Sequence, residues 1–220
     1  MAGEDHVETA RAVYDVTAPA YVQFVGTEIS SATEGPIDQS LLVAFVELVK
    51  RQALDRVVDV GCGPGRAAAF MAARGLDVVG VDVSQAMLSV ARSAHPHIKF
   101  EEGQLDALPF EAGLFAGAVC WYSIIYTPPD CLAEAFSELA RVLMPGGYLL
   151  LAFQAEGEPV HRTNAHGTRL PLTSYRHRLQ DVADHLEDIG FKLYATVLRA
   201  PDLEDETTFQ GFVIASSPST

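Results

Sequence analysis

A β-branched run that ends in a glycine-rich turn is the feature that most limits how this chain can fold. Val57-Val58-Asp59-Val60 leads into Gly61-Cys62-Gly63-Pro64-Gly65, and Arg66 opens an alanine-rich stretch with helical character. Glycine tolerates positive φ and lets a ligand approach the backbone closely. The free N–H groups at the start of a helix add a positive potential. The pattern predicts a strand, a tight turn and a helix, with a binding site at the turn.

Short apolar runs alternate with longer amphipathic stretches, which is typical of a parallel sheet buried on both faces. The pattern predicts strands at 56–60, 77–81, 98–100, 114–120 and 148–153, and helices at 41–49, 66–74, 85–93, 131–143 and 179–188. Two final strands, 191–198 and 209–215, are joined by a short acidic stretch with no room for a crossover helix, so we expect them to be antiparallel. The expected fold class is α/β: a doubly wound seven-stranded sheet, mostly parallel, with a C-terminal antiparallel strand.

The chain is strongly acidic. Its 220 residues include 29 Asp plus Glu and 15 Lys plus Arg, for a formal net charge of −14. Such a surface repels nucleic acid and anionic membranes, so we expect neither as a partner. The acidic N-terminus, the lack of a long apolar run and three cysteines without metal-ligand spacing indicate a cytoplasmic protein without a metal site.

Asp82 ends the second predicted strand, close to the expected position of the glycine turn. A carboxylate there can accept hydrogen bonds from both hydroxyls of a ribose, which favours a nucleoside-containing ligand. Capping of the next helix is an alternative role, although Ser84 is better suited to it. The glycines at 61, 63 and 65 do not fit the G-x-G-x-x-G spacing of dinucleotide sites, because Arg66 takes the third position.

With these residues the chain resembles the class I S-adenosylmethionine-dependent methyltransferases, specifically the small-molecule group that includes the ubiquinone and menaquinone methyltransferases. The segments that carry the resemblance are 59–65, 81–88, 103–110 and 139–147. It implies a Rossmann-like methyltransferase fold in one domain, with an N-terminal helical lid (1–52), a cofactor-binding core (53–153), an acceptor-side loop (154–178) and a final helix with the hairpin (179–220). It also implies methyl transfer from S-adenosylmethionine to oxygen, nitrogen or an activated carbon of a small molecule.

The resemblance assigns the methionine end of the cofactor to the glycine turn. The turn residues implied to contact the cofactor are Gly61, Cys62, Gly63 and Gly65, with Cys62 as a small filler. Asp59 would hold the amino group of the cofactor. Arg66 would neutralise its carboxylate or would simply be a surface residue of the helix, and both readings stay open.

The adenosine end is implied to rest on the segments after the second and third strands. Asp82 would bind the ribose, Val83 and Met87 would contact one face of the adenine, and Leu105 would cover the other. The family commonly has Asp where this chain has Gln104, whose amide oxygen can still accept a hydrogen bond from the adenine amino group. Asp106 is the alternative partner if the loop is shifted by two residues.

Candidate residues for the acceptor side come from three segments. Trp121 and Tyr122 are expected against the methionine part of the cofactor and Tyr126 against the acceptor, with plain aromatic packing as the alternative. His161 and His177, in the long 154–177 connection, are candidate general bases, although a solvated loop histidine is the simpler interpretation. Tyr14 and Tyr21 would fold over the cofactor or would only fasten the N-terminal helix to the core.

Two other functions compete with a methyltransferase. A nicotinamide-dependent dehydrogenase shares the glycine turn and the ribose carboxylate, but the glycine spacing and the final hairpin disfavour it. A non-catalytic cofactor-binding or interaction module with the same fold would keep the turn and Asp82, and the sequence does not separate it from an enzyme.

Overall fold

The computed structural model describes residues 2–204 and 206–218. Its strands are, in chain order, β1 (Arg56–Val60), β2 (Asp77–Asp82), β3 (Lys99–Glu102), β4 (Phe115–Trp121), β5 (Leu143–Ala155), β6 (Val160–Arg162), β7 (Leu172–Ser174), β8 (Lys192–Arg199) and β9 (Phe209–Ser216). Its α-helices are α1 (Ala2–Val25), α2 (Pro36–Val49), α3 (Arg66–Ala72), α4 (Gln85–Ala94), α5 (Leu132–Val142) and α6 (Leu179–Asp188).

Seven of these strands form one sheet in the order β3-β2-β1-β4-β5-β9-β8. Strands β1 to β5 pair in parallel, and β9 is antiparallel to both β5 and β8. The predicted fold is confirmed, including the antiparallel C-terminal hairpin. Because the strand order reverses between β1 and β4, their carboxyl ends border a crevice of the kind that binds ligands in open α/β sheets.

The two faces of the sheet are buried under different helices, as the continuous apolar strands require. One face packs against α2, α3 and the buried side of α4, through residues such as Phe45, Met71 and Leu88. The other packs against α5 and α6, through Phe136, Leu139 and other apolar side chains. Every residue of β4 is buried. This central strand therefore fixes the position of the residues that follow it.

The connection between β5 and α6 is more ordered than the loop that the sequence predicts. Strands β6 and β7 pair as a small antiparallel hairpin, and Ala165 and Leu172 in this region pack against Ala10 and Val13 of α1. These apolar side chains give the connection a small core of its own, which fixes it against α1. Within the described residues, none of the helices has the length and apolar character needed to cross a membrane.

Candidate active site

A cavity lies beside the glycine turn at the carboxyl ends of β1, β2 and β4, and α1 closes it from above. Its lining comes from α1, the glycine turn, the residues after β2 and β3, and the segment after β4. Sequence-predicted residues that line it are Tyr14, Tyr21, Gly61, Gly63, Asp82, Val83, Met87, Leu105, Trp121, Tyr122 and Tyr126. The structure therefore gathers most of the predicted site residues around one cavity.

The glycine turn requires glycine for two separate reasons. Gly61, Gly63 and Gly65 have φ values of +71°, +51° and +88°, in the left-handed region that disfavours other residues. A Cβ on Gly61 would also lie 2.2 Å from Cβ of Ser123, and one on Gly65 would lie 2.9 Å from Cζ of Phe100. A Cβ on Gly63 would meet no atom within 4 Å, so Gly63 leaves its side of the turn open to the cavity.

Asp82 connects the glycine turn to the start of α4. One carboxylate oxygen accepts from the N–H of Gly63 at 2.8 Å, and the other accepts from the N–H of Ser84 at 2.9 Å. A carboxylate has about four acceptor sites, so these two bonds leave capacity for the two hydroxyls of a ribose. Burial raises the pKa of Asp82 above its ordinary value, and donors from a ligand would favour its ionised form. The capping role falls to Ser84, whose hydroxyl accepts from the N–H of Met87.

Asp59 lies beneath the turn with only 1% of its surface exposed. Its Oδ2 accepts from the N–H of Ala68 at 2.9 Å, whereas Oδ1 has no hydrogen-bond partner among the described residues. Burial raises the pKa of this carboxyl from 3.8 to about 7. A buried carboxylate oxygen without a donor is unfavourable, and an ammonium group of a ligand would supply that donor directly or through a water. Asp59 does not itself line the cavity, and its orphaned oxygen fits the amino group of S-adenosylmethionine as an acceptor reached through a water.

Arg66 lies outside the cavity and has a partner within the chain. Its guanidinium forms an ion pair with Glu34 at 2.5 Å, and the two side chains are 11% and 2% exposed. The same guanidinium donates to the hydroxyl of Thr33 at 2.6 Å, and Glu34 also accepts from the indole N–H of Trp121 at 3.4 Å. The charge of Arg66 thus holds the segment before α2 against the glycine turn, and both predicted roles for Arg66 stay predictions.

The adenosine end of the cavity differs from the first expectation at one position. Val83, Met87 and Leu105 line the cavity as expected, but Gln104 does not, and Asp106 does. The Oδ1 atom of Asp106 is shielded from solvent and has no hydrogen-bond partner in the described part of the chain. The geometry therefore favours the alternative in which the loop is shifted by two residues and Asp106 is the polar residue that faces the ligand.

Two aromatic residues form the wall of the cavity after β4. The rings of Trp121 and Tyr122 meet edge to face with centroids 5.7 Å apart, and both contact Phe212 of β9. Tyr122 has φ of +61°, and its N–H donates to the carbonyl of Ala152 at 2.8 Å. A large residue at positive φ is strained, and such strain is concentrated at functional sites.

Three further tyrosines, Tyr14, Tyr21 and Tyr126, line the cavity. The hydroxyls of Tyr14 and Tyr126 are hydrogen-bonded to each other, and the rings of Tyr14 and Tyr21 meet at 5.4 Å. Burial raises the pKa of all three phenols, so each stays protonated near neutral pH. Asp15 fixes α1 in this position, because its carboxylate accepts from the hydroxyl of Ser84 at 2.6 Å.

The two predicted general bases lie outside the cavity. His161 is exposed on β6, where its Nδ1 bonds the hydroxyl of Thr173 at 2.8 Å. His177 is 4% exposed, its Nε2 meets the carbonyl of Ile124 at 3.1 Å, and burial lowers its pKa. Their positions give no support to a catalytic role. The histidine that does line the cavity is His6, which sequence reasoning missed although it lies eight residues before Tyr14 on one helical face.

Comparisons with known proteins identify the class to which the chain belongs. Residues 57–147 match a family model described as a methyltransferase domain. A demethylmenaquinone methyltransferase of Chlorobaculum tepidum is 30% identical over 178 residues, which cover 79% of this chain and 69% of that protein. A malonyl-[acyl-carrier protein] O-methyltransferase of Erwinia billingiae is 34% identical over 102 residues, 46% of this chain and 40% of that protein. The match thus spans less than half the length of the latter relative.

Solved structures give the same fold. Magnesium protoporphyrin IX methyltransferase from Synechocystis, crystallised with S-adenosylmethionine, has a TM-score of 0.69 and 19% identity over 96% of this chain and 97% of that one. At this identity the likeness supports the fold alone. Together with the family model and the Chlorobaculum relative, it places the chain within a known class. The chain belongs to the S-adenosylmethionine-dependent methyltransferase family.

Proposed function

We propose that the protein transfers a methyl group from S-adenosylmethionine to an oxygen, a nitrogen or an activated carbon of a small-molecule acceptor. The observation that carries the proposal is the unpartnered, buried Oδ1 of Asp59 beneath a glycine turn whose N–H group is held by Asp82. This arrangement offers an acceptor for an ammonium group and a carboxylate for a ribose at the two ends of one turn.

The residues that would hold the cofactor divide between its two ends. Asp59 would bind the amino group and Asp82 the ribose hydroxyls. Asp106 lines the cavity, and its shielded Oδ1 has no hydrogen-bond partner within the described residues; its carboxylate would accept from the adenine amino group, between Met87 and Leu105.

The bound cofactor supplies a methyl group on a positively charged sulfur, which is already activated toward nucleophiles. The chain itself needs to align the acceptor and to exclude water. Trp121 and Tyr122 provide aromatic surface suited to a sulfonium. The α1 helix, held by Asp15 and by the hydrogen bond between Tyr14 and Tyr126, covers the reacting centre.

The charge of the chain supports the small-molecule part of the proposal. A net charge of −14 disfavours a nucleic acid acceptor. A cytoplasmic location is part of the same proposal and fits the three unpaired cysteines.

Calorimetric titration with S-adenosylmethionine and S-adenosylhomocysteine tests the proposal, with NADH and NADPH as controls. We expect binding of the adenosyl compounds only, with a large loss of affinity in Asp82→Ala. A matched pair, Asp106→Asn and Gln104→Ala, tests the adenine contact. Loss of the charged acceptor in Asp106→Asn should weaken binding by about 10-fold, the scale of one charge-assisted hydrogen bond, and Gln104→Ala should change it little.

The outcomes separate the alternatives. Binding of NADH in place of the adenosyl compounds would reject the methyltransferase function. Binding of the adenosyl compounds without transfer to any acceptor would indicate a non-catalytic module with the same fold. Equal affinities of the Asp106 and Gln104 variants would reject the assignment of Asp106.

A further inference from the structure

Glu34 is a buried carboxylate outside the proposed set of cofactor contacts. It lies on the segment between α1 and α2, and 1% of its surface is exposed. Its carboxylate accepts from the guanidinium of Arg66, the first residue of α3, at 2.5 Å and from the hydroxyl of Thr33 at 2.7 Å. A buried carboxylate needs such partners, so the ion pair with Arg66 accounts for the burial of Glu34.

One oxygen of Glu34 also reaches the wall of the cofactor cavity. Oε1, which pairs with Arg66, accepts from the indole N–H of Trp121 at 3.4 Å. Trp121 is 8% exposed and lines the cavity, and its ring contacts the rings of Tyr122 and Phe212. With its N–H directed to Glu34 and two rings beside it, the indole has a fixed orientation in the cavity wall.

A carboxylate behind the indole strengthens the attraction of the ring for a cation. The electron-rich face of tryptophan attracts cations more strongly than the faces of tyrosine and phenylalanine do. Hydrogen bonds in a buried setting polarise the groups that form them, and a carboxylate acceptor shifts electron density from the N–H toward the ring. The contact with Glu34 therefore makes Trp121 a better partner for positive charge in the cavity.

The cofactor and its product differ in the property to which such a ring responds. S-adenosylmethionine carries a positive sulfur, whereas S-adenosylhomocysteine is an uncharged thioether, and the two compounds share their adenosine and amino-acid parts. A contact that depends on the charge of the sulfur changes the affinity for the first compound and leaves the affinity for the second almost unchanged. The ratio of the two affinities therefore isolates this contact from those that both compounds make.

We propose that Glu34 is a positioning residue that orients and polarises the indole of Trp121, so that the cavity favours the sulfonium cofactor over the thioether product. The inference rests on the proposed methyltransferase function and adds a determinant of selectivity to that site. Arg66 holds the carboxylate of Glu34 beside the indole. Weaker binding of the uncharged product helps the site to exchange it for fresh cofactor after transfer.

The test measures both affinities by calorimetry in the wild type, Glu34→Gln, Trp121→Phe and the double variant. Glutamine keeps an oxygen that can accept from the indole N–H but removes the charge, and phenylalanine keeps an aromatic ring but removes the N–H. Thr33→Val is the matched control, because it removes a hydroxyl that bonds both Glu34 and Arg66 without a change at the indole N–H.

We expect the ratio of S-adenosylmethionine affinity to S-adenosylhomocysteine affinity to fall about 3- to 10-fold in Glu34→Gln and in Trp121→Phe, the scale of a cation–aromatic contact in a partly desolvated site. Thr33→Val should keep the wild-type ratio. In the double variant the ratio should fall no further than in Trp121→Phe, because Glu34 acts through the indole.

Fluorescence reports the same contact without turnover, because Trp121 is the single tryptophan of the chain. In the wild type, S-adenosylmethionine should change the emission of Trp121 more than S-adenosylhomocysteine does. This difference between the two compounds should shrink in Glu34→Gln and persist in Thr33→Val.

Several outcomes would overturn the inference. An equal loss of affinity for both compounds in Glu34→Gln would make Glu34 a purely structural residue. An equal fall of the ratio with and without the indole of Trp121 would show that the charge acts on the cofactor directly. An unchanged ratio in Trp121→Phe would overturn the inference even if Glu34→Gln does not fold. Wild-type protein that binds neither adenosyl compound would overturn the proposed function itself.

Discussion

Replacement of Asp59 by asparagine should stabilise the ligand-free protein and weaken cofactor binding at the same time. The asparagine amide oxygen can still accept the hydrogen bond from the N–H of Ala68, which Asp59 receives at 2.9 Å. The substitution removes the charge from a side chain that is 1% exposed. On this reasoning, the carboxylate of Asp59 serves ligand binding and lowers the stability of the ligand-free protein.

The magnitude follows from the pKa of Asp59, which burial raises from 3.8 to about 7. A carboxyl whose pKa is raised in the folded state contributes stability below its unfolded pKa, and loses it as the pH rises through the folded pKa. At 1.36 kcal/mol per pH unit, the cost of the ionised carboxylate reaches about 4 kcal/mol above pH 7. The asparagine amide places its NH₂ group, a buried polar group without a partner, where Oδ1 was, which costs about 1–3 kcal/mol. The variant should therefore be more stable than the wild type by about 1–3 kcal/mol in the alkaline range.

Urea unfolding at about pH 5 and about pH 8 measures the difference in the free energy of unfolding between the wild type and Asp59→Asn. Linkage predicts that the advantage of Asp59→Asn grows by about 3 kcal/mol between the two pH values, because only the wild type has a carboxylate to ionise there. Asp184→Asn, at an exposed position of α6, serves as the control and should show little change. Calorimetry should show S-adenosylmethionine binding to Asp59→Asn weakened about 10- to 100-fold, since one charged hydrogen bond contributes about 1.5–3 kcal/mol.

Two results would refute the reasoning. If the stability difference between wild type and Asp59→Asn is the same at both pH values, the carboxyl does not ionise in a buried setting as inferred. If the variant binds the cofactor as tightly as the wild type does, Oδ1 of Asp59 is not the acceptor for the amino group of the ligand.

Two further substitutions test the framework of the site. Gly61→Ala should abolish detectable cofactor binding in calorimetry, because the new Cβ would lie 2.2 Å from Cβ of Ser123 at a backbone φ of +71°. Tight binding by this variant would mean that the turn can relax. Arg199→Met should lower the free energy of unfolding in urea by about 3–5 kcal/mol, because it leaves the carboxylates of Asp38 and Glu206 without their cation. A loss below about 1 kcal/mol would show that solvent reaches these carboxylates.

The positions of the residues around the glycine turn could be predicted because their determinants are local in sequence. Gly61, Gly63 and Gly65 adopt positive φ within one turn, and Asp82 follows from the end of a strand. Backbone sterics determine where glycine is needed in the turn, and the period of a strand determines which residue lies at its end. The same holds for the antiparallel end of the sheet, where a short acidic connection ruled out a crossover.

Residues whose role depends on distant partners were not predictable in this way. Arg66 is the first residue of α3, and no local sequence pattern indicates that it will form an ion pair with Glu34, which lies on a segment before α2. The choice between Gln104 and Asp106 depends on the direction of side chains in a short irregular turn. Such a turn has no period from which to infer which residue faces the ligand.

The acceptor side is harder to predict than the cofactor side for a physical reason. The proposed contacts to S-adenosylmethionine come from backbone turns and strand ends, whereas a second pocket that shares His6 and Tyr126 with the cofactor cavity is lined by α1, the segment after β4 and strand β7. Each of these segments contributes ordinary residues, and only tertiary packing brings His6 beside Tyr126. Because α1 both covers the cofactor cavity and lines the second pocket, a substitution on its inner face changes these spaces without altering the glycine turn. Divergence in the residues of α1 is therefore compatible with an unchanged glycine turn, and the function of α1 has to be inferred from its packing.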